Sequence, residues 1–332
     1  MKTGSLTYWR PALAAALLVV AALAGLAAYF LGDGQRGIGF VEYPMQQPLD
    51  TPTAVAAAPD GTIWFTLDLA AAIGRIREGK LERLPTSSQN ADPMGVGVAP
   101  DGSAWFTDNG ARGISRITPS GEITTVPLET PIVRLGRLAI AADGAIWFAE
   151  ASGYSISQIK DGHLTRHVFE SPRGSPYGVA VAADGTAWAT LKSGDQLLRI
   201  TTDGEITAFE VPQRAAVPSD IAVARDGSVW FIEEHENRLA MFKNGTFEEF
   251  DVPGGNPVLS GLAVTDEGAV WFGMLRSGSL GRLRGGRVDV FKLPREHARP
   301  CSLAIDRAGN VWYADISCLL YTSPSPRDRQ KS

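Results

Sequence analysis

The chain reads as an all-β protein, a seven-bladed β-propeller of four-stranded blades, preceded by one N-terminal transmembrane helix. Three observations predict this. Seven tryptophans (Trp64, Trp105, Trp147, Trp188, Trp230, Trp271 and Trp312) recur at steps of about 41 residues. A period near 40 with several short strands per unit describes one propeller blade. The same phrase surrounds these tryptophans, as in Asp60-Gly61-Thr62-Ile63-Trp64-Phe65, Asp101-Gly102-Ser103-Ala104-Trp105-Phe106 and Asp226-Gly227-Ser228-Val229-Trp230-Phe231. Finally, an unbroken apolar run from Pro11 to Leu31 matches the roughly 30 Å hydrocarbon core of a bilayer.

The second unit shows how one repeat makes one blade. Gly95-Val96-Gly97-Val98 is small and apolar, as a crowded innermost strand requires. Pro100-Asp101-Gly102 is a tight turn, because Asp-Gly tolerates the positive φ of hairpins. Ala104-Trp105-Phe106-Thr107 follows as a strand whose rings fill the space between blades. Ile114-Ser115-Arg116-Ile117 is the third strand and Glu122 to Val126 the outer fourth, ended by Pro127. Third strands recur at Ile73-Gly74-Arg75-Ile76 and Leu280-Gly281-Arg282-Leu283, fourth strands at Glu205 to Val211 and Thr246 to Val252.

Closure follows from the terminating prolines. Pro85, Pro127, Pro172, Pro212, Pro253 and Pro294 follow the first six units, and one copy, Phe40-Val41-Glu42-Tyr43-Pro44, comes a period early. This orphan fourth strand is expected to complete the last blade and cover its edge. The domain reading is thus a stub, anchor (about 11–31) and linker over 1–36, and a propeller over 37–317 truncated in its last blade. Residues 318–332, beginning Cys318-Leu319-Leu320-Tyr321, read as the translation of a transposase-type sequencing adapter and are set aside.

Lys2 and Arg10 before the apolar run and Asp33 after it orient the anchor with its N-terminus inside. The propeller is then periplasmic or extracellular. The alternative is a signal peptide cleaved after Ala22-Leu23-Ala24, releasing a secreted protein. The net charge of −5 is nearer −7 without the tail, so no basic excess suggests nucleic acid, and no zinc-finger or P-loop spacing is present. Two cysteines make no disulfide framework.

Strand alternation puts the Asp-Gly turns on the bottom face and the variable loops on the top, where function is expected. Pairing about the Asp101-Gly102 turn sets Gly95 opposite Asp108. The residue eleven before each Trp and the residue three after it then form two rings at the channel mouth. The first ring is Thr53, Met94, Gly136, Tyr177, Ser219, Ser260 and Cys301; the second is Leu67, Asp108, Glu150, Leu191, Glu233, Met274 and Asp315. Asp108, Glu150, Glu233 and Asp315 offer oxygen ligands to a divalent cation. Alternatively they cap turns and hold backbone amides between blades. Tyr177, Ser219, Ser260, Cys301 and the neighbouring Arg299 are candidate ligand contacts.

The Asp-Gly-x-x-Trp-Phe phrase, the Ile-Gly-Arg-Ile third strand and the Gly-Glu-Ile-Thr fourth strand resemble the virginiamycin B lyase (streptogramin lyase) family over about residues 37–317. The resemblance implies a seven-bladed propeller and magnesium-assisted elimination that opens a cyclic depsipeptide, with a histidine as base. The family's two functional histidines correspond to Ser260 and Cys301 here. One metal-binding glutamate corresponds to Arg299, the other falls at or beside Ile316, next to Asp315, and a substrate-contacting tyrosine corresponds to Thr53. Serine is too weak an acid to replace imidazole as a base, and arginine repels a cation. His235 in Glu233-Glu234-His235-Glu236, His297 and Cys301 are the remaining candidates for chemistry. His235 and His297 otherwise read as solvated loop residues, and Cys301 as a small buried strand residue.

Two functions follow. One is a non-catalytic, membrane-anchored module that binds a small molecule or protein through its top face. The other is a metal-dependent enzyme, with Mg2+ implied by the resemblance, acting as a streptogramin B lyase or a lactone-opening propeller.

Overall fold

The Asp-Gly turns shape the first five repeats alike. The aspartate side chain folds back onto the chain, so that Thr62 N donates to Asp60 Oδ1 at 2.9 Å, with equivalent bonds at Asp101, Asp143, Asp184 and Asp226. The next residue takes positive φ, 87° at Gly61 and 80° at Gly227, which glycine accepts without a Cβ clash. The structure, a computed structural model, describes residues 39–317 apart from 48, 87, 130–133 and 170–173. The chain divides into units 1–42 and 43–332. Of the first unit only 39–42 are described, and they carry no strand.

The second unit holds six antiparallel four-stranded sheets, over 52–85, 93–127, 135–168, 176–210, 218–251 and 259–292, and a two-stranded sheet of Pro300–Ile305 and Val311–Asp315. Seven blades of four strands are therefore corrected to six, with a two-stranded sector beside them among the described residues. The physical reason lies in the ladder. An outer strand pairs with a third strand, and in this sector the chain after Ser317 lies outside the described residues. Residues 43–45 accordingly join no sheet. Tyr43 instead packs on Trp312, ring centroids 5.7 Å apart. The expected transmembrane helix finds no support among the described residues either. Among them helical geometry is confined to a 3-10 turn, Asp68–Ala70, and to 316–317, and no helix is long and apolar enough to cross a membrane. The run at 11–31 and the tail at 318–332 both fall outside the described residues.

The core lies in the seams between sheets. Trp64 packs with Phe106 of the next sheet, Trp188 with Phe231, and Trp230 with Phe272. Trp312 joins Phe65 in the same way, which closes the ring onto the first sheet. In the first and sixth sheets the phenyl group packs onto a third-strand glycine, where a Cβ on Gly74 would come within 2.1 Å of Phe65. Only glycine leaves room for that ring.

Each inner strand opens with a bulge. Pro93, not Gly95, lies opposite Asp108, and pairing resumes at Val96↔Phe106; a register shift recurs at the start of every inner strand, with Leu135 in place of the proline in the third sector and Leu259 in the sixth. A hydroxyl on the second strand satisfies the bulged backbone. Thr107 Oγ1 accepts from Gly95 N at 2.9 Å and donates to Gly136 O of the next sheet at 3.1 Å. Thr190 does the same between Gly178 N and Ser219 O. These hydroxyls tie neighbouring inner strands together around the axis.

Candidate functional site

The inner strands converge on a central cavity of about 350 Å3. Six first-ring residues stand on its wall: Thr53, Met94, Tyr177, Ser219, Ser260 and Cys301. The second ring does not. The bulge advances the register by one residue, so Glu234, Leu275 and Ile316 reach the cavity while the residues before them turn into the seams.

Those seam positions have structural partners. Asp108 is buried, and its Oδ1 accepts from Asp92 N and Ala111 N at 3.0 and 2.9 Å. Glu150 is buried against Ser157 and Arg166, with Arg166 Nε 3.1 Å from Oε1. Asp315 accepts from Arg299 N, Ser317 N and Ser317 Oγ. Glu233 is fully buried, and neither carboxylate oxygen has a hydrogen-bond partner. Burial, reinforced by the charge of Glu249, pushes its pKa up to about 7.

Four charged groups organise the cavity. Arg137 Nε lies 3.3 Å from Asp220 Oδ1, and Lys192 Nζ lies 2.8 Å from Glu234 Oε1. Both cations flank Tyr177, with Lys192 Nζ 4.4 Å and the Arg137 guanidinium 5.9 Å from the ring centre. Burial works against the Arg137 charge, yet Asp220 holds its pKa above the ordinary value. The angle to Asp220 leaves the buried Arg137 Nε without a hydrogen-bond acceptor. Sequence reasoning missed Arg137, Asp220, Lys192 and Glu234. The signal was the bulge: they stand ten before or four after a repeat tryptophan, one residue along from the two rings.

Ser260 and Cys301 face the cavity but are committed to the backbone. Ser260 Oγ donates to Pro300 O at 2.5 Å. The Cys301 thiol is directed at Thr53 O and Ala314 O, both at 3.5 Å, and burial pushes its pKa up to about 12. The histidine candidates lie elsewhere. The side chains of His235 and His297 are 67% and 70% exposed, beside Glu236 and Glu296. Arg299 is exposed in a furrow adjoining the cavity.

Residues 36–194 and 135–319 match the virginiamycin B lyase family. The chain belongs to that family. Virginiamycin B lyase of Nocardia farcinica (strain IFM 10152) is 32% identical over 183 residues, 55% of this chain and 62% of the relative. The match therefore spans less than two thirds of that relative's length. A streptogramin B lyase structure superposes with a TM-score of 0.80 at 26% identity, over 84% of this chain and 94% of the other. A catalytically inactive histidine-to-alanine form of virginiamycin B lyase from Staphylococcus aureus, with quinupristin, gives 0.79 at 26% identity, over 84% and 96%.

The residues present do not fit the magnesium ion that the family resemblance implies. Arg299 stands where the resemblance implies a metal-binding carboxylate. Asp315 is turned to Arg299 N and Ser317, and Asp220 and Glu234 are held by cations. Among the described residues no three His, Cys, Asp or Glu side chains converge on a metal position.

Proposed function

We propose that this propeller binds a ligand in its central cavity without catalysing the elimination associated with its family. One observation carries the reading: the two positions where the resemblance expects histidines hold Ser260 and Cys301, both hydrogen-bonded to inner-strand carbonyls. Neither is a base near neutrality, since a hydroxyl holds its proton too tightly and the Cys301 thiol titrates at about 12. Binding is supported by what the cavity presents. Tyr177 offers an aromatic face flanked by two cations. A pocket of this size with a few convergent polar groups suits a small molecule or a peptide segment.

Quinupristin is the probe for the test, since a family neighbour holds it. Titration into the full chain with magnesium is expected to give saturable heat, weakened at least tenfold by Tyr177→Ala. Mass spectrometry is expected to recover the depsipeptide ring intact. An opened ring, or no binding at all, overturns the reading.

A further inference from the structure

The furrow beside the cavity has an electrostatic character of its own. It lies between the sixth blade and the two-stranded sector, encloses about 360 Å3 and is lined by Val258, Leu275, Arg276, His297, Ala298 and Arg299. Val258 and Leu275 also line the central cavity, so the two spaces share a wall. No carboxylate lines the furrow. Beyond Arg276 and His297 it opens into a second hollow of about 420 Å3, lined also by Lys292, Glu296 and Arg295, the last paired with Asp315 at 4.0 Å.

What distinguishes this place is that two arginines share one concave space lined by no carboxylate. Arg75, Arg116, Arg166, Arg238 and Arg282 each hold a carboxylate, and other arginines outside any ion pair among the described residues, such as Arg77 and Arg214, do not line the furrow. Arg276 and Arg299 are exposed, and no ion pair joins either guanidinium to a carboxylate among the described residues. The shared wall is firmly held. Val258 sits at φ 54°, a conformation rare for a β-branched residue. Its N–H donates to Asn237 Oδ1 at 2.8 Å, and its carbonyl accepts from Leu275 N at 3.0 Å. His297, at φ 62°, closes the other end.

We propose that this furrow is an anion subsite, in which a ligand seated in the central cavity reaches over Val258 and Leu275 to place an anionic group against Arg276 and Arg299. The inference rests on the reading of the cavity as a ligand site. Guanidinium groups present planar donor forks that match carboxylate and phosphate oxygens, and a concave wall of one sign concentrates the opposite charge. The ligand class is therefore an acid: a carboxylate or a phosphoryl ester borne on a body that fits the cavity.

Equilibrium dialysis of the full chain against inorganic phosphate, at fixed ionic strength, tests this. One saturable site is expected, with a dissociation constant raised at least fivefold by Arg276→Gln/Arg299→Gln. Arg225→Gln, whose partner is Asp266, is expected to leave it unchanged. Both furrow arginines are exposed; near-UV circular dichroism checks the fold, and the single variant Arg276→Gln serves as a second test. Acetate that displaces phosphate assigns a carboxylate, and acetate that does not assigns a phosphoryl group, both within the proposal. Tyr177→Ala is expected to keep phosphate binding while losing quinupristin, which separates the subsite from the cavity. A phosphate-free wild type, or equal binding by the double variant, overturns the proposal.

Discussion

The hydroxyl of Ser260 donates to the carbonyl of Pro300, 2.5 Å away in the neighbouring sector. This bond takes the place of the Thr107 and Thr190 bonds of other seams, because the sixth sheet has Gly273 where those sheets have threonine. Ser260 is thus part of the ring's fastening. Ser260→Ala is expected to lower stability by about 1 kcal/mol, the scale of one buried hydrogen bond with its orphaned acceptor. Urea unfolding measures it, and an unchanged midpoint removes the structural role.

The glycines beneath the seam phenyls make a second test. A Cβ at Gly74 or Gly281 would penetrate the ring of Phe65 or Phe272 at 2.1 Å. Gly74→Ala and Gly281→Ala are each expected to cost about 1–3 kcal/mol by overpacking. Phe65→Leu should recover part of the loss in the Gly74→Ala background, since a smaller side chain frees the space. Thermal unfolding of the single and double variants reads the coupling.

Stability should pass through a maximum in mildly acidic solution. Asp226, held by Lys243 and then Ser228, and Asp143, held by Lys160 and then the Ala145 N–H, have lowered pKa values. The stability they contribute is lost as pH falls through those values. Glu233 and Asp68 are pushed up to about 7, the first mainly by burial with Glu249 adding to it, the second by burial and its bond to Asp92. Folding binds their protons, so their contribution is complete below about pH 4 and lost as pH rises through about 7. Arg238 opposes the Glu233 shift, while Glu236 and Asp195 reinforce it. Glu233→Gln is expected to flatten the fall in urea midpoint between pH 5 and pH 8; an unaltered slope rules out this carboxyl as its source.

Cys301 should resist alkylation. Burial holds its thiol protonated up to about pH 12, and the thiolate is the reactive form. Iodoacetamide at pH 8, followed by peptide mapping, is expected to leave Cys301 unmodified in the folded protein and label it fully in urea. Rapid native labelling contradicts the hydrogen-bonded geometry of the thiol.

Much of the architecture is legible because its signals are local. The Asp-Gly turns, and third strands such as Ile73–Ile76, which lies within Ala72–Arg77, follow from a few neighbouring residues. The bulge is less so, since it depends on a hydroxyl twelve residues along the chain, as between Gly95 and Thr107. That single displaced residue sends Asp108 and Glu150 into the seams and brings Glu234 to the cavity. The Arg137–Asp220 pair joins blades three and five across the axis, and no short-range pattern announces it. The expectation of a seventh four-stranded blade, closed by the N-terminal strand, extended a regular period to a sector in which the described chain forms only two strands.

The threonine and serine cross-ties have a mechanical consequence. Each spans a short, fixed length from one inner strand to the next, so the bore behaves as a rigid gauge with little capacity to swell around a bulky guest. Under the proposed ligand-binding function, selection by girth would come before selection by chemistry: a molecule too wide for the aperture would be turned away before it met Tyr177 or Arg137.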